Sequence, residues 1–241
     1  MKLIILAGGR GQRMGTLTNA KQKATLSFMG STLLEWAING FVEDSRISTI
    51  HVLTGYRGED VHKTLLIKYS KELEARRISY IDCPSIKGTL SRLQASIEKI
   101  GVTEDCIVCG IDSFVPVIVL RNFLDFCSRS CQNFSLVLST HLRIAPTHKV
   151  ASLHKGLVCE YGCANEIGSH KTGKYLTDVG IRFFPAENLK KITTSYYENN
   201  SYIPTYIQSM LRKGADIRGF VFNEDWNHFA FAEDLVVSGA P

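Results

Sequence analysis

The chain has 241 residues, 44% of them hydrophobic and 21% charged, which suits one globular domain with a buried core and excludes disorder, collagen and coiled coil. A net charge of +5 is too small an excess to require a nucleic acid partner. No apolar stretch approaches the roughly 20 residues that span a bilayer, and the opening apolar run is too short for a signal peptide, so a soluble, cytoplasmic protein is expected.

Strands and helices alternate from the first residue. Residues 3–6 form a short apolar run ended by glycines, the pattern of a buried parallel strand. Thr32-Leu33-Leu34-Glu35 is a capping box that opens a helix through about Phe41. A strand follows at 48–53, a charged amphipathic helix at 59–77 and a strand at 78–81. Leu90, Leu93, Ile97 and Ile100 then mark one helical face just after Gly88-Thr89. Residues 106–110 read as a strand, 117–127 as a helix and 134–139 as a strand. Beyond them the pattern predicts a hairpin over 147–158, a polar loop over 160–174, a strand at 180–184, a helix at 204–213 and a strand at 217–222. The sum is one α/β domain, a Rossmann-like three-layer sandwich around a mostly parallel mixed sheet with an antiparallel insertion in its second half.

Seven cysteines, an odd number, argue against a secreted disulfide framework. Cys106 and Cys109 have zinc-ligand spacing, but in a strand that odd spacing sends them to opposite faces. Cys127 and Cys131 are spaced as core residues of a helix, and Cys159 and Cys163 are again four apart. No second CxxC completes a tetrad, so core thiols account for the spacing.

The strongest local signal is Leu6-Ala7-Gly8-Gly9-Arg10-Gly11-Gln12-Arg13-Met14, directly after the first strand. Glycines let backbone N–H groups approach phosphate oxygens, and two arginines add fixed positive charge. A dinucleotide-binding loop would need glycine where Met14 stands and an acid after the second strand, and a P-loop would end in Gly-Lys-Ser/Thr. Neither is present.

The continuation resembles the signature of sugar-1-phosphate nucleotidyltransferases, with the nucleotide-diphospho-sugar transferase, GT-A-like fold that this implies. Arg13-Met14-Gly15-Thr16-Leu17-Thr18, then Lys23, Gly30 and Leu33-Leu34-Glu35 follow that family's Gly-Gly-x-Gly-x-Arg-Leu-x-Pro-Leu-Thr, Pro-Lys, Gly and Leu-Leu-Glu. Downstream, Gly55-Tyr56-Arg57, Gly88-Thr89, Asp112, Asp178-Val179-Gly180-Ile181 and the stretch from Trp226 to Glu233-Asp234-Leu235 are similar to its later motifs, in order.

The resemblance implies attack by a sugar 1-phosphate oxygen on the α-phosphorus of a nucleoside triphosphate, with pyrophosphate leaving. It implies a nucleotide site at Leu6, Ala7, Gly8, Gly9, Arg10, Gly11, Gly88 and Thr89, with Cys83 a further candidate for the base pocket. Arg13 would stabilise the departing pyrophosphate, Lys23 would neutralise charge at the α-phosphate, and Asp112 would hold Mg²⁺. Asp178 and Gly180 would face the sugar. Residues 1–140 would form the nucleotide-binding half and 141–241 the sugar-binding half of one domain. The partners so implied are an NTP and a sugar 1-phosphate, with neither nucleic acid nor membrane; homo-oligomerisation stays open.

The family pattern is broken in places. Gln22 replaces the proline before the key lysine, and Ser27 and Thr32 replace later prolines; since prolines stiffen loops, a looser lid is expected. His228 stands in the slot of the second metal-binding Asp, and Phe231-Ala232 replaces Thr-Pro. Two other readings stay beside the enzyme of sugar activation, with its guanylyl- or related transfer. One is a catalytically degraded nucleotide-binding regulatory protein. The other is a cytidylyltransferase for a phosphocholine-like substrate, whose aromatic cage would draw on Tyr196, Tyr197, Trp226 and Phe229. A polar insertion carrying Lys171 and Lys174 suits a sugar phosphate better.

Overall fold

The computed structural model describes residues 1–101, 104–129, 133–141, 148–167, 175–195 and 201–235. In chain order the first elements are β1 (Lys2–Leu6), α1 (Leu17–Ala20), β2 (Ser27–Phe28), β3 (Ser31–Thr32), α2 (Leu33–Asn39), β4 (Thr49–Thr54), α3 (Gly58–Lys68), α4 (Ser70–Glu74) and β5 (Ile78–Asp82). Next come α5 (Thr89–Ile100), β6 (Cys106–Gly110), β7 (Ser113–Phe114), α6 (Val117–Arg129), β8 (Ser135–Ser139), β9 (Lys149–His154) and β10 (Leu157–Cys163). The last are β11 (Tyr175–Phe184), α7 (Ala186–Thr194), α8 (Ile203–Arg212), β12 (Arg218–Phe222) and β13 (Asn227–His228).

One nine-stranded sheet runs β5-β4-β1-β6-β11-β8-β12-β10-β9. Its parallel part is β5-β4-β1-β6, in which β4, β1 and β6 are the apolar runs that strand pairing on both sides and helices on both faces demand, while β5 forms the edge. The antiparallel strand β11 joins this part to the second half by pairing with β6, β8 and β9. Alternate residues of each strand feed two cores. Leu3, Ile5, Ile107 and Cys109 pack with α2, α3 and α6, whereas Ile4, Cys106 and Val108 pack with α5, α7 and α8. Cys106 and Cys109 thus face opposite ways, and burial raises both thiols to about 12. Cys127 is also core; Cys131, Lys171, Lys174, Tyr196 and Tyr197 lie outside the described residues.

The capping box before α2 is present: the Glu35 N–H donates to Thr32 Oγ1 (3.2 Å) and the Thr32 N–H to Glu35 Oε2 (2.9 Å). Three expectations need correction. The helix expected over 59–77 breaks at Tyr69 (φ −136°) into α3 and α4, where the buried ring leaves the helical path and its hydroxyl donates to Asn39 (2.7 Å). Residues 160–163 belong to β10 rather than a loop. A register shift between Val158 and Glu160 interrupts the two-residue alternation that would have marked them. Helix α7 was not anticipated, although Pro185 precedes it and its buried Leu189 and Ile192 have helical spacing. The β9–β10 turn, Lys155-Gly156 with both φ positive, is the two-residue kind that matches strand twist. No helix among the described residues is long and apolar enough to cross a membrane.

Candidate active site

The carboxyl ends of β1 and β6 and the middle of β11 surround a cavity of about 660 Å³, the edge of an open parallel sheet where ligands bind. Of the residues singled out in the sequence, its lining brings together Leu6, Gly9, Gly11, Arg13, Lys23, Thr89, Asp112, Asp178, Gly180 and His228. Ala7, Gly8, Arg10 and Gly88 adjoin these residues in the chain without lining the cavity. Cys83 does not reach it; it is buried, with its Sγ toward Ser96.

The loop after β1 is held open by its own backbone. Gly11 takes φ +66°, its carbonyl accepts from the Met14 N–H (2.8 Å) and the Thr18 hydroxyl (3.0 Å), and Met14 is buried beneath. Gly9 faces open space. Arg10 lies over the Tyr56 ring and Arg13 over Phe231. The expected looser lid is not what the structure holds. Gln22 is fully buried, its side-chain N–H groups donate to the carbonyls of Ala7 and Gly9, and its Oε1 accepts from the Ala24 N–H. The Gln22 N–H, which proline would lack, donates to Asp60 (3.0 Å). Ser27 and Thr32 pair across the β2–β3 turn, and Thr32 caps α2. Hydrogen bonds stand where rings were expected.

Lys23, 8% exposed, places Nζ 3.6 Å from Asp112 Oδ2. Burial alone would raise the Asp112 carboxyl; Lys23, His228 and Arg13 outweigh it and bring it down to about 2. It is a carboxylate at any ordinary pH. Pairing of β13 with β7 sets His228 opposite Ser113, with Nδ1 3.4 Å from the hydroxyl and the His148 ring at 5.0 Å. Burial lowers the His228 pKa, and His148, Lys23 and Arg13 push the same way against Asp112, a balance that favours the neutral imidazole. Among the described residues no three His, Cys, Asp or Glu side chains form a metal-holding cluster.

On the far wall, β11 bulges. Asp178 pairs with Leu138 and Arg182 with Leu136, and between them Gly180 takes φ +83°. The Asp178 carboxylate is spent internally: Oδ1 accepts from the Gly180 N–H (2.8 Å), and Oδ2 from the Tyr161 hydroxyl (2.7 Å) and Arg182 Nη2 (2.5 Å). It shapes the bulge, and the Gly180 backbone is what meets the cavity. Of the aromatic-cage residues, Trp226 and Phe229 are packed in the core. The sequence reading missed Gln22, Arg92, His148, Lys149, Arg182 and Tyr202, of which all but Gln22 line the cavity. For Arg92 a signal existed, a charged residue one position from the apolar Leu93 on the buried side of α5.

Solved structures share this fold. A protein assigned as a glucose-1-phosphate thymidylyltransferase of Bacillus anthracis superposes with a TM-score of 0.79 at 16% identity, over 100% of this chain and 96% of that one. An inositol-1-phosphate CTP transferase of T. maritima gives 0.76 at 15% identity, over 97% and 91%, and a UDP-glucose pyrophosphorylase complexed with UDP-glucose 0.78 at 14%, over 98% and 96%. At these identities the likeness is one of fold. No curated protein matches the chain. The model of the MobA-like NTP transferase domain matches residues 3–158, and the chain belongs to that family of nucleotidyltransferases.

Proposed function

We propose that the chain transfers a nucleotidyl group from an NTP to a sugar 1-phosphate, releasing pyrophosphate. The observation that carries this reading is the Lys23–Asp112 pair, 3.6 Å apart, in a cavity walled by the glycine loop with Arg13 on one side and by Gly180 with Arg182 on the other. Two highly charged substrates meeting there need positive charge and positioning more than covalent chemistry. The loop amides cradle the triphosphate, Lys23 neutralises charge growing at the α-phosphate as the acceptor oxygen attacks, and Arg13 stabilises the pyrophosphate that departs. Residues 1–140 supply the phosphate loop of the nucleotide-binding half, and 141–241 supply the acceptor wall at β11.

The residues fit Mg²⁺ through one carboxylate, since this ion is commonly held by one or two carboxylates plus substrate phosphates. Asp112 would hold it, with neutral His228 beside; when bound, it would neutralise phosphate charge. Lys23 held 3.6 Å from Asp112 with Arg13 on the same cavity favours the enzyme over a degraded binding protein. The test is pyrophosphate release from the protein incubated with Mg²⁺, each common NTP and a panel of sugar 1-phosphates. Release with at least one pair is expected, and none with any pair would sink the reading.

A further inference from the structure

Five basic Lys and Arg side chains among the described residues line the cavity: Arg13, Lys23, Arg92, Lys149 and Arg182. Lys23 faces Asp112, Arg182 faces Asp178, Lys149 meets the sulfur of Cys163 and Arg13 lies over Phe231. Arg92 is different. It is 8% exposed, and among the described residues no carboxylate comes within ion-pair distance and its one side-chain hydrogen bond runs from Nη2 to the Ile86 carbonyl (2.6 Å). Its Nε is buried without a partner. A guanidinium keeps its charge in proteins, and leaving it buried and uncompensated is costly. A ligand that brings acceptors to it would offset that cost.

The position of Arg92 says which part of a ligand this is. The guanidinium occupies the space that a Cβ on Gly8 or Gly55 would take, at 2.6 and 2.7 Å. It therefore lies against the ends of β1 and β4. Lys23–Asp112 and the Gly180 bulge lie the other way, toward β6 and β11 in the strand order. With phosphates on the loop between, and the acceptor at β11, the nucleoside extends toward β4. The exposed ring of Tyr202 lines the cavity too, next to Ile203, whose N–H donates to Thr89 Oγ1 at the start of α5 (3.0 Å); it offers a face on which a base can stack.

We propose that Arg92 selects the base of the donor nucleotide, its guanidinium donating to a base edge that presents adjacent acceptors, as guanine (O6, N7) and cytosine (O2, N3) do. The inference rests on the nucleotidyl-transfer reading. Arginine is the natural partner of such an edge. Adenine sets an amino donor beside N7, and uracil sets an N–H between its carbonyls, so each opposes one hydrogen of the fork.

The test is calorimetric titration of GTP, CTP, UTP, ATP and inorganic tripolyphosphate, with Mg²⁺, into the wild-type protein and the Arg92→Gln and Arg92→Lys variants. Wild type should bind GTP or CTP about tenfold more tightly than ATP. Both variants should lose that preference while keeping tripolyphosphate affinity, and Arg92→Gln, whose amide pairs with adenine, should gain for ATP. Arg92→Lys keeps the charge and serves where the Gln variant melts early. Equal wild-type affinity for all four nucleotides overturns the proposal. So does a loss of tripolyphosphate binding equal to that of GTP or CTP, which would make Arg92 a phosphate ligand. Failure of wild type to bind any NTP or tripolyphosphate removes the nucleotidyl-transfer reading itself, and this inference with it.

Discussion

The side-chain amide of Gln22 donates to the carbonyl of Ala7, fifteen residues earlier, and so ties the segment before Lys23 to the floor of the glycine loop. A second donation to Gly9 (3.2 Å) and the Ala24 N–H accepted at Oε1 complete the tie. Lys23 is therefore positioned by its neighbour.

Gln22→Ala leaves two buried backbone groups, the Ala7 carbonyl and the Ala24 N–H, short of a partner, and should cost about 1–3 kcal/mol, read as a lowered melting temperature. Nucleotide affinity should fall with it. Gln22→Pro should do no better, because proline also removes the N–H that Asp60 accepts. An unchanged melting temperature in both variants would show that the tie contributes nothing.

Lys23→Ala should lower kcat by about 10²–10³-fold while nucleotide Kd changes only a few-fold. Steady-state pyrophosphate release and equilibrium titration separate the two. Equal losses would mean that Lys23 serves binding alone.

His51 in β4 is buried against Ser79 (2.6 Å). Burial, helped by Lys2 and opposed by Glu104, lowers its pKa from 6.5 to about 4. Its neutral form suits the fold, so the stability it contributes is complete above pH 6.5 and fades as the pH falls toward 4. Over that window the melting temperature of His51→Gln should fall less steeply than that of wild type. Parallel curves would contradict the assignment.

Gly180→Ala meets no neighbour, since the position opens onto empty space, yet φ +83° disfavours any side chain. A loss of about 1–2 kcal/mol is expected, with a raised KM for the acceptor and a nearly unchanged KM for the nucleotide. The reverse pattern would move the acceptor away from the β11 bulge.

The loop from Leu6 to Met14, the succession of strands and helices in the first half and the capping box at Thr32 could be read from residues because each depends on neighbours close in sequence. Lys23 and Asp112 came from the resemblance to the nucleotidyltransferase motifs, and the structure sets them 3.6 Å apart. What escaped were contacts across long separations. The tie from Gln22 depends on backbone carbonyls fifteen and thirteen residues away, and the place of Arg92 depends on the glycines at 8 and 55. Asp178 reads as a free carboxylate until Arg182 and Tyr161 are seen to occupy it. His228 was named from the resemblance, but its place opposite Ser113 needed the two-residue pairing of β13 with β7, too brief to leave a pattern.

Strand β11 is the ruler of this site. Ile181 is in register with Cys109 of β6, three residues before Asp112, while Thr177 is in register with Val150 of β9, next to Lys149 and His148 on the cavity wall. The distance between these two parts of the cavity wall is therefore counted out in backbone units of about 3.3 Å rather than adjusted by side chains. Deleting one residue between Thr177 and Ile181 would leave every reactive group in the chain, yet turn one half of the strand over relative to the other.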